Sequence, residues 1–259
     1  MIRMSRRNII WLTQVAILAA ILIAWEIGVS GRDIVFFGKP SLIAERLVQL
    51  FIAGEIWRHV QVTLTEVVLG YILGAAVGLV LGFVLGRSRM LSDIFQPYIL
   101  GFYSIPKIAL APLFIVWLGL GLESKVAVVA LSTFFLVFFN TYAGLQTLDQ
   151  ELIRLARLMG ADWRHTYLRV IAPASAPSIL IGFRTAVPYA VIGAIIGEYI
   201  GAHEGLGYFI LYAAQTFDAP GLFSGIAILV AAVFVANWGL MRLERRIVRW
   251  RPVEHALQT

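Results

Sequence analysis

Charged residues divide this chain into long apolar stretches. Two stretches hold a single cation each: 94–122 contains Lys107, and 170–197 contains Arg184. A helix needs about 20 apolar residues to cross the hydrocarbon core of a bilayer, and its backbone groups must be hydrogen-bonded within the segment. The pattern therefore predicts an all-α membrane protein with six transmembrane helices. The other four stretches hold no charged residue and lie at 8–25, 67–86, 126–148 and 219–241.

Composition and charge narrow the protein class. Of 259 residues, 60% are hydrophobic and 14% are charged, whereas soluble domains are about 25% charged. A soluble enzyme and an intrinsically disordered chain are therefore excluded. Cysteine is absent, which excludes disulfides and thiolate metal sites. The first apolar stretch follows three arginines, as in a signal peptide, but it is longer than a signal core, and Trp25-Glu26 is a poor cleavage site. We interpret it as a retained anchor.

The basic residues predict the orientation. If the N-terminus is cytoplasmic, most arginines fall in cytoplasmic segments, and the positive-inside rule then places both termini in the cytoplasm. The basic tail at 242–259 directly follows a span, where orientation and anionic lipid explain it better than a nucleic-acid partner.

Two segments show a finer pattern. Segment 41–57 alternates apolar and polar positions at helical spacing and predicts an amphipathic helix outside the membrane, lying on the bilayer or on the bundle. The second span carries a glycine at every fourth position. Small residues at this spacing let helices approach closely in lipid, so we predict a tight contact within one bundle or a sliding or subunit interface. These glycines are Gly70, Gly74, Gly78, Gly82 and Gly86.

The third stretch is interrupted by three prolines, which bend membrane helices. Lys107 lies beside Pro106 at such a bend. Ionisable residues inside a membrane usually face the bundle interior or a water-filled path. Lys107, Arg184 and Glu198 are therefore candidates for a translocation path, which two cations would bias toward an anionic substrate. The alternative is that the two cations pair internally with Glu66 or Glu198.

The segment 149–169 predicts a short cytoplasmic helix parallel to the membrane. Leu152, Leu155, Ala156 and Met159 recur at helical spacing, and Gly160 follows as a glycine does just past a helix C-terminus. Such a helix could pack against the spans or could be held by a soluble partner.

This segment resembles the signature loop of permease subunits of bacterial ABC importers. The loop has Ala156 and Gly160, then Tyr167, Val170, Pro173 and Pro177 at the family's spacing. The resemblance covers most of the chain from His59 onward and points to the branch that handles nitrate, sulfonates, taurine and related small solutes. Further matching segments are 63–86, 105–112, 140–144 and 205–208.

The resemblance implies the type I importer fold in the bacterial inner membrane and a subunit without chemistry of its own. Two permease copies, expected to be identical, would line a path for a solute delivered by an extracytoplasmic binding protein. Two ATPase subunits, which hold ATP and Mg, would grip the short helices. The coupling residues implied in this chain are Glu151, Arg154, Leu155, Ala156, Gly160 and Ala161.

One departure concerns the loop itself. Arg154 stands where the family has a glutamate, and Leu155 stands where it has an alanine. Glu151, one turn earlier, is the candidate to supply the missing carboxylate. The resemblance divides the chain into an anchor and external segment at 1–62, a core permease domain at 63–241 and a basic tail at 242–259.

Other functions find less support in the sequence. No phosphate-binding loop, histidine pair or serine-nucleophile motif occurs, so neither ATP hydrolysis nor an intramembrane enzyme is predicted. A stand-alone carrier or channel would show an internal repeat or deep titratable groups, and only Glu66 and Glu198 come close. Within the importer class, a permease for a vitamin or a vitamin precursor is the alternative to one for a small anion.

Overall fold

The computed structural model describes residues 6–247 and is built of helices throughout that range. Residues 1–5 and 248–259, which include Arg3 and most of the predicted basic tail, lie outside the described residues. A 3-10 turn at Gly31–Asp33 and a π-helical turn at Tyr167–Ile171 complete the fold. The helices are α1 (Arg6–Gly28), α2 (Ile34–Phe37), α3 (Pro40–Ala53), α4 (Glu55–Arg87), α5 (Arg89–Ser104), α6 (Lys107–Leu118), α7 (Leu122–Gln146), α8 (Gln150–Leu158), α9 (Trp163–Thr166), α10 (Ala172–Gly201), α11 (Leu206–Gln215) and α12 (Ala219–Ile247).

The predicted spans are five continuous helices and one bent pair. Helices α1, α4, α7, α12 and the continuous stretch Trp163–Gly201 are each long and apolar enough to cross a membrane. The third predicted span is broken: α5 and α6 meet at 90°. The break lies at Pro106, which has extended backbone between the two helices. A proline cannot donate a backbone hydrogen bond and disfavours helical geometry in the residue before it, which explains the position of the bend.

Two boundaries differ from the expectation. The predicted amphipathic helix ends at Ala53 rather than at residue 57, because Gly54 adopts φ +78° and the chain turns directly into α4. Helix α4 then starts twelve residues before the predicted span, because the uncharged stretch marks only the part of the helix that faces lipid. The expected domain boundary after residue 62 consequently falls inside α4, and the one after residue 241 falls inside α12.

Helices α4, α7 and α10 form the centre of the bundle. A Cβ atom added at Gly78 would lie 2.6 Å from the carbonyl oxygen of Phe134, and one at Gly82 would lie 2.8 Å from that of Phe138. The backbones of α4 and α7 are therefore in direct contact, which only a residue without a side chain permits. All five glycines of the stripe face α7, and at Gly70 and Gly86 the atoms nearest to an added Cβ belong to side chains of α7.

Helix α10 approaches α7 with a similar small-residue face. A Cβ atom at Gly182 would lie 2.7 Å from that of Asn140, and one at Gly193 would lie 3.1 Å from the Cα atom of Val129. Ala186, Ala190 and Ala194, which continue this face, are fully buried. Helix α7 is thus clasped between α4 and α10, and these three helices define the rigid frame of the molecule.

Helices α1 and α3 attach to this frame at one end. No residue is buried in the part of α1 that could cross a membrane. Glu26, near the end of α1, accepts hydrogen bonds from the backbone N–H (3.0 Å) and the hydroxyl (2.8 Å) of Ser41. Helix α3 buries Ile43 and Leu50 against the bundle. The amphipathic helix therefore packs on the bundle, one of the two positions expected for it. We call this end of the molecule the α3 end and the opposite end the α8 end.

Candidate functional site

Helix α8 is held by its two caps. The Asp149 side chain accepts a hydrogen bond from the backbone N–H of Glu151 (2.8 Å) and closes the N-terminus. At the C-terminus, Gly160 adopts φ +85°, its N–H reaches the Arg157 carbonyl (3.0 Å), and the Ala161 N–H reaches the Ala156 carbonyl (3.1 Å). This pair of bonds is a Schellman motif, which requires a left-handed residue at the position of Gly160.

The apolar face of α8 points away from the spans. Leu155 is 54% exposed and Met159 is 81% exposed, and Leu152 and Leu158 are exposed as well. Of the two arrangements that the sequence left open, packing of this face against the spans does not occur in the structure. Glu151 and Arg154 are also exposed, whereas Ala156 and Ala161 are half-buried. The structure thus gathers the predicted coupling residues on one small protruding element.

Ile153 and Arg157 line the side of α8 that faces the bundle. They border a cavity of about 190 Å³ whose other walls include Arg87, Trp163 and Tyr167. Asp162 begins the next helix by accepting a hydrogen bond from the backbone N–H of His165 (2.7 Å), and this bond lowers the pKa of the Asp162 carboxyl. The contacts join α8 to the ends of the long spans.

A π-helical turn connects this region to α10. Over Tyr167–Ile171 the helix widens, and the Ala172 N–H bonds to the Tyr167 carbonyl five residues earlier. Pro173 and Pro177 follow at once and cannot donate backbone hydrogen bonds. Tyr167 packs edge-on against Phe83 of α4 (4.8 Å between ring centres) and lies beneath the Arg87 guanidinium (5.6 Å). The span therefore starts at Trp163, before the predicted residue 170.

Lys107 is the first residue of α6 and sits at the bend. Its Nζ atom lies 4.5 Å from the centre of the Tyr103 ring and 5.3 Å from that of Phe135, in half-buried surroundings. Arg184 is exposed in the middle of α10. Among the side chains that the structure describes, neither cation lies within 4.0 Å of a carboxylate. The internal pairing that was the alternative for these cations is therefore not seen.

Glu198 lies apart from the other two path candidates. It follows Arg184 by fourteen residues, or roughly 21 Å along the axis of α10, and is 1% exposed. Its carboxyl accepts hydrogen bonds from the Thr63 hydroxyl (2.6 Å) and from the backbone N–H of Gly207. The structure thus does not assemble Lys107, Arg184 and Glu198 into one site.

The neighbours of Glu198 form a compact junction at the α3 end. The Thr63 hydroxyl accepts a hydrogen bond from the Leu206 N–H (2.7 Å), and His59 Nδ1 accepts one from the Gly205 N–H (3.1 Å). A Cβ atom at Gly205, whose φ is +116°, would overlap the Glu198 carboxyl. The Gly205-Leu206-Gly207 segment is therefore shaped around Glu198.

Lys125 belongs to the same junction, which the sequence did not predict. Lys125 directly precedes the uncharged stretch 126–148, but α7 begins at Leu122, and Lys125 is buried with its Nζ 3.6 Å from Glu66 Oε1. The signal available in the sequence was the pair of acids, Glu66 and Glu198, each next to an apolar run.

A cleft of about 430 Å³ opens beside this ion pair. Its wall includes Glu204, whose carboxylate lies 2.6 Å from Arg58, and the hydrogen bond from Arg58 lowers the pKa of Glu204. No group of three or more potential metal ligands occurs within the described residues.

Comparison with known proteins gives consistent relationships. Residues 67–249 match the family model described as binding-protein-dependent transport system inner membrane component. The chain is 30% identical to the putative aliphatic sulfonates transport permease protein SsuC of Bacillus subtilis (strain 168), covering 95% of this chain and 90% of that protein. It is 36% identical to the formylaminopyrimidine transport permease protein ThiX of Halalkalibacterium halodurans, covering 89% and 92%. It is also 36% identical to the riboflavin transport system permease protein RibX of Chloroflexus aurantiacus, covering 90% and 88%.

Solved structures agree on the fold. A chain of the inward-facing MetNI methionine ABC transporter superposes with a TM-score of 0.59 at 22% identity, covering 79% of this chain and 97% of that one. A chain of an amino acid ABC transporter crystallised with histidines superposes with a TM-score of 0.54 at 20% identity. At these identities the likeness concerns the fold, which is that of ABC importer permeases.

Proposed function

This chain belongs to the binding-protein-dependent transport system inner membrane components, and we propose that its α8 is the helix through which a separate ATPase drives transport. Family membership makes the chain a permease subunit of an ABC importer in the inner membrane. Such subunits are non-catalytic membrane components. What has to be assigned is how this chain meets its partners and what it carries.

The exposed apolar face of α8 is the observation that carries the coupling role. Leu152, Leu155 and Met159 project from the end of the bundle without any contact that would bury them. Exposed apolar clusters mark interaction sites because leaving them in water is unfavourable. Arg154 lies beside this face, so the partner surface would be apolar at its centre and would offer an acidic group at its rim. Two ATPase subunits, each holding ATP and Mg, would bind the two α8 helices of a permease dimer.

The same proposal implies an orientation in the membrane. If α8 meets an ATPase, the α8 end faces the cytoplasm and the α3 end faces the binding protein outside. Both termini are then cytoplasmic, in agreement with the distribution of arginines. We propose that a second copy of this chain completes the path, and that exposed apolar side chains of the bent pair α5–α6, such as Phe102, Ile108 and Val116, lie against that copy rather than against lipid.

The proposed cargo is a small anionic solute. Lys107 is surrounded by aromatic rings rather than by a carboxylate, so its charge remains available to an anion at the bend. A sulfonate fits this chemistry, and SsuC relatives are named for aliphatic sulfonates. Taurine, nitrate and bicarbonate also carry a negatively charged group and belong to the same class of candidate.

A vitamin precursor is the second candidate. Two relatives at 36% identity are named for formylaminopyrimidine and riboflavin. Tyr103 is 43% exposed at the bend and packs edge-on against Phe135 (5.5 Å between ring centres) and Phe139 (5.0 Å), so its ring offers a supported face on which a flat heteroaromatic solute could stack. Uptake of each solute class by cells that express the complete transporter discriminates the two.

Replacement of Leu155 by Asp tests the coupling role. The variant places a charge at the centre of the proposed interface, and we expect the ATPase to be lost on purification from native membranes. Ile52→Asp is the matched control, because Ile52 is 81% exposed on α3 at the opposite end. Loss of the ATPase in both variants, or in neither, would contradict the assignment.

A further inference from the structure

The junction of Glu66, Glu198 and Lys125 contains two buried carboxyl groups but one buried ammonium group. Glu66 and Glu198 are each 1% exposed, and they are neighbours, because Thr63, one helical turn before Glu66 on α4, donates its hydroxyl to Glu198 Oε1. Two ionised carboxylates in contact repel each other strongly away from water. One ammonium group, that of Lys125, is available to balance them.

The hydrogen bonds distinguish the two carboxyls. Glu198 accepts from the Thr63 hydroxyl at Oε1 and from the Gly207 N–H at Oε2, so both of its oxygens act as acceptors. These are donors that favour an ionised carboxylate. The Thr63 hydroxyl oxygen already accepts a hydrogen bond from the Leu206 N–H, which leaves the hydroxyl proton to be donated to Glu198. The contacts therefore place the negative charge on Glu198.

Glu66 has the opposite pattern. Its Oε1 lies 3.6 Å from Lys125 Nζ, a loose contact, and its Oε2 has no donor among the described residues although it is fully buried. An orphaned carboxylate oxygen in such a place is costly, because buried polar atoms require a partner. A protonated Oε2 removes this cost, since its hydroxyl can donate to the neighbouring Glu198.

We propose that the junction binds one proton, held on Glu66 and donated to Glu198. The unit then consists of a neutral Glu66, an anionic Glu198 and a cationic Lys125, and its net charge is zero. This proton links α4 to α10, while Lys125 links α4 to α7 and Gly207 brings in the start of α11. The site is independent of the ATPase-coupling role and of the cargo.

The proposal predicts an asymmetry between two conservative variants. Glu66→Gln retains an N–H that can donate to Glu198 and an oxygen that can face Lys125, so we expect the melting temperature of the purified transporter to stay within about 2 °C of the parent. Glu198→Gln replaces an acceptor with a donor opposite Gly207, and we expect a loss of about 5 °C or more. Glu45→Gln, an exposed substitution on α3, serves as the control for handling. Equal losses, or a larger loss for Glu66→Gln, would overturn the assignment.

Infrared spectroscopy detects the proton directly. In lipid nanodiscs at neutral pH, the parent transporter should show the carbonyl stretch of a protonated carboxylic acid, and this band should disappear in Glu66→Gln and persist in Glu45→Gln. A band that is absent from the parent, or that survives Glu66→Gln, would refute the proposal. This measurement decides the question even if Glu198→Gln fails to fold.

Discussion

Replacing Gly78 with alanine should separate α4 from α7. The added Cβ atom would lie 2.6 Å from the Phe134 carbonyl oxygen and 3.1 Å from the Phe138 backbone nitrogen, whereas ordinary contacts begin at 3.4 Å. Both neighbours are backbone atoms, so the helices must move apart by several tenths of an ångström. Overpacking of this kind costs about 1–3 kcal/mol. The gain in helix propensity from glycine to alanine, about 1 kcal/mol, opposes it.

A second glycine isolates the packing effect. Gly239 lies within α12 and has no atom within 4 Å of its added Cβ, so Gly239→Ala shares the propensity gain without the clash. A difference of about 2 kcal/mol between the two variants corresponds to a melting-temperature difference of about 4–8 °C for a chain of this size. Tryptophan fluorescence during thermal unfolding, at one fixed concentration and oligomeric state, measures it.

A third variant, within the glycine stripe, tests whether contact between backbones causes the loss of stability. At Gly86, the nearest atom to an added Cβ is the Leu145 Cδ1 atom at 2.8 Å, on a side chain that can rotate away. Gly86→Ala should therefore be milder than Gly78→Ala. If Gly78→Ala and Gly239→Ala have the same melting temperature, the backbones of α4 and α7 are not in direct contact.

Three further predictions concern the two ends and the bend. Gly160→Val should weaken ATPase retention about tenfold, since a β-branched residue at φ +85° costs about 1–2 kcal/mol and disrupts the cap of α8; retention equal to that of the parent would count against the role of the cap. Lys107→Met should lower uptake of an anionic solute while Lys107→Arg preserves it and both assemble, and equal uptake by the two variants would remove Lys107 from the path. The exposed ion pair of Arg58 and Glu204 should contribute little to stability. Because the pKa of Glu204 is lowered, any contribution is present at pH values above the usual carboxyl pKa and is lost on acidification. A Glu204→Gln variant that destabilises the protein at neutral pH by more than Glu198→Gln does would contradict this.

Long stretches with at most one charged residue were sufficient to predict the spans, because charged side chains are costly inside a membrane and therefore rare there. The same criterion failed at span ends. Helix α4 continues to Glu55 through Arg58 and His59, whose polar groups lie at the α3 end and do not oppose a helix. Charged residues indicate where a helix leaves the lipid, whereas the helix itself ends where its backbone hydrogen bonds end.

Side-chain partners were harder to predict than helices. The sequence offered Lys107 and Arg184 as partners for Glu66 and Glu198, but the structure pairs Glu66 with Lys125. Lys125 lies close to Glu66 because the glycine face of α4 and the small-residue face of α10 clasp α7 in one register. That register depends on contacts between helices far apart in the chain, which single-sequence periodicity does not contain.

The position of α8 was predictable from the sequence, but the exposure of its apolar face was not. Its caps are local, and the position of Gly160 in the sequence already indicated where the helix ends. Whether Leu155 packs inward or outward depends on where the ends of the spans lie, and the structure directs it outward. This exposure makes α8 the proposed contact with the ATPase.

Solute uptake into sealed membrane vesicles tests the central claim most directly. Vesicles that contain this chain with its co-purified ATPase and binding protein should accumulate the labelled solute only when ATP and Mg are supplied on the side that carries α8. The Leu155→Asp chain, present in equal amount, should not support accumulation. Uptake by this chain alone without ATP, or unchanged uptake by Leu155→Asp, would contradict the account.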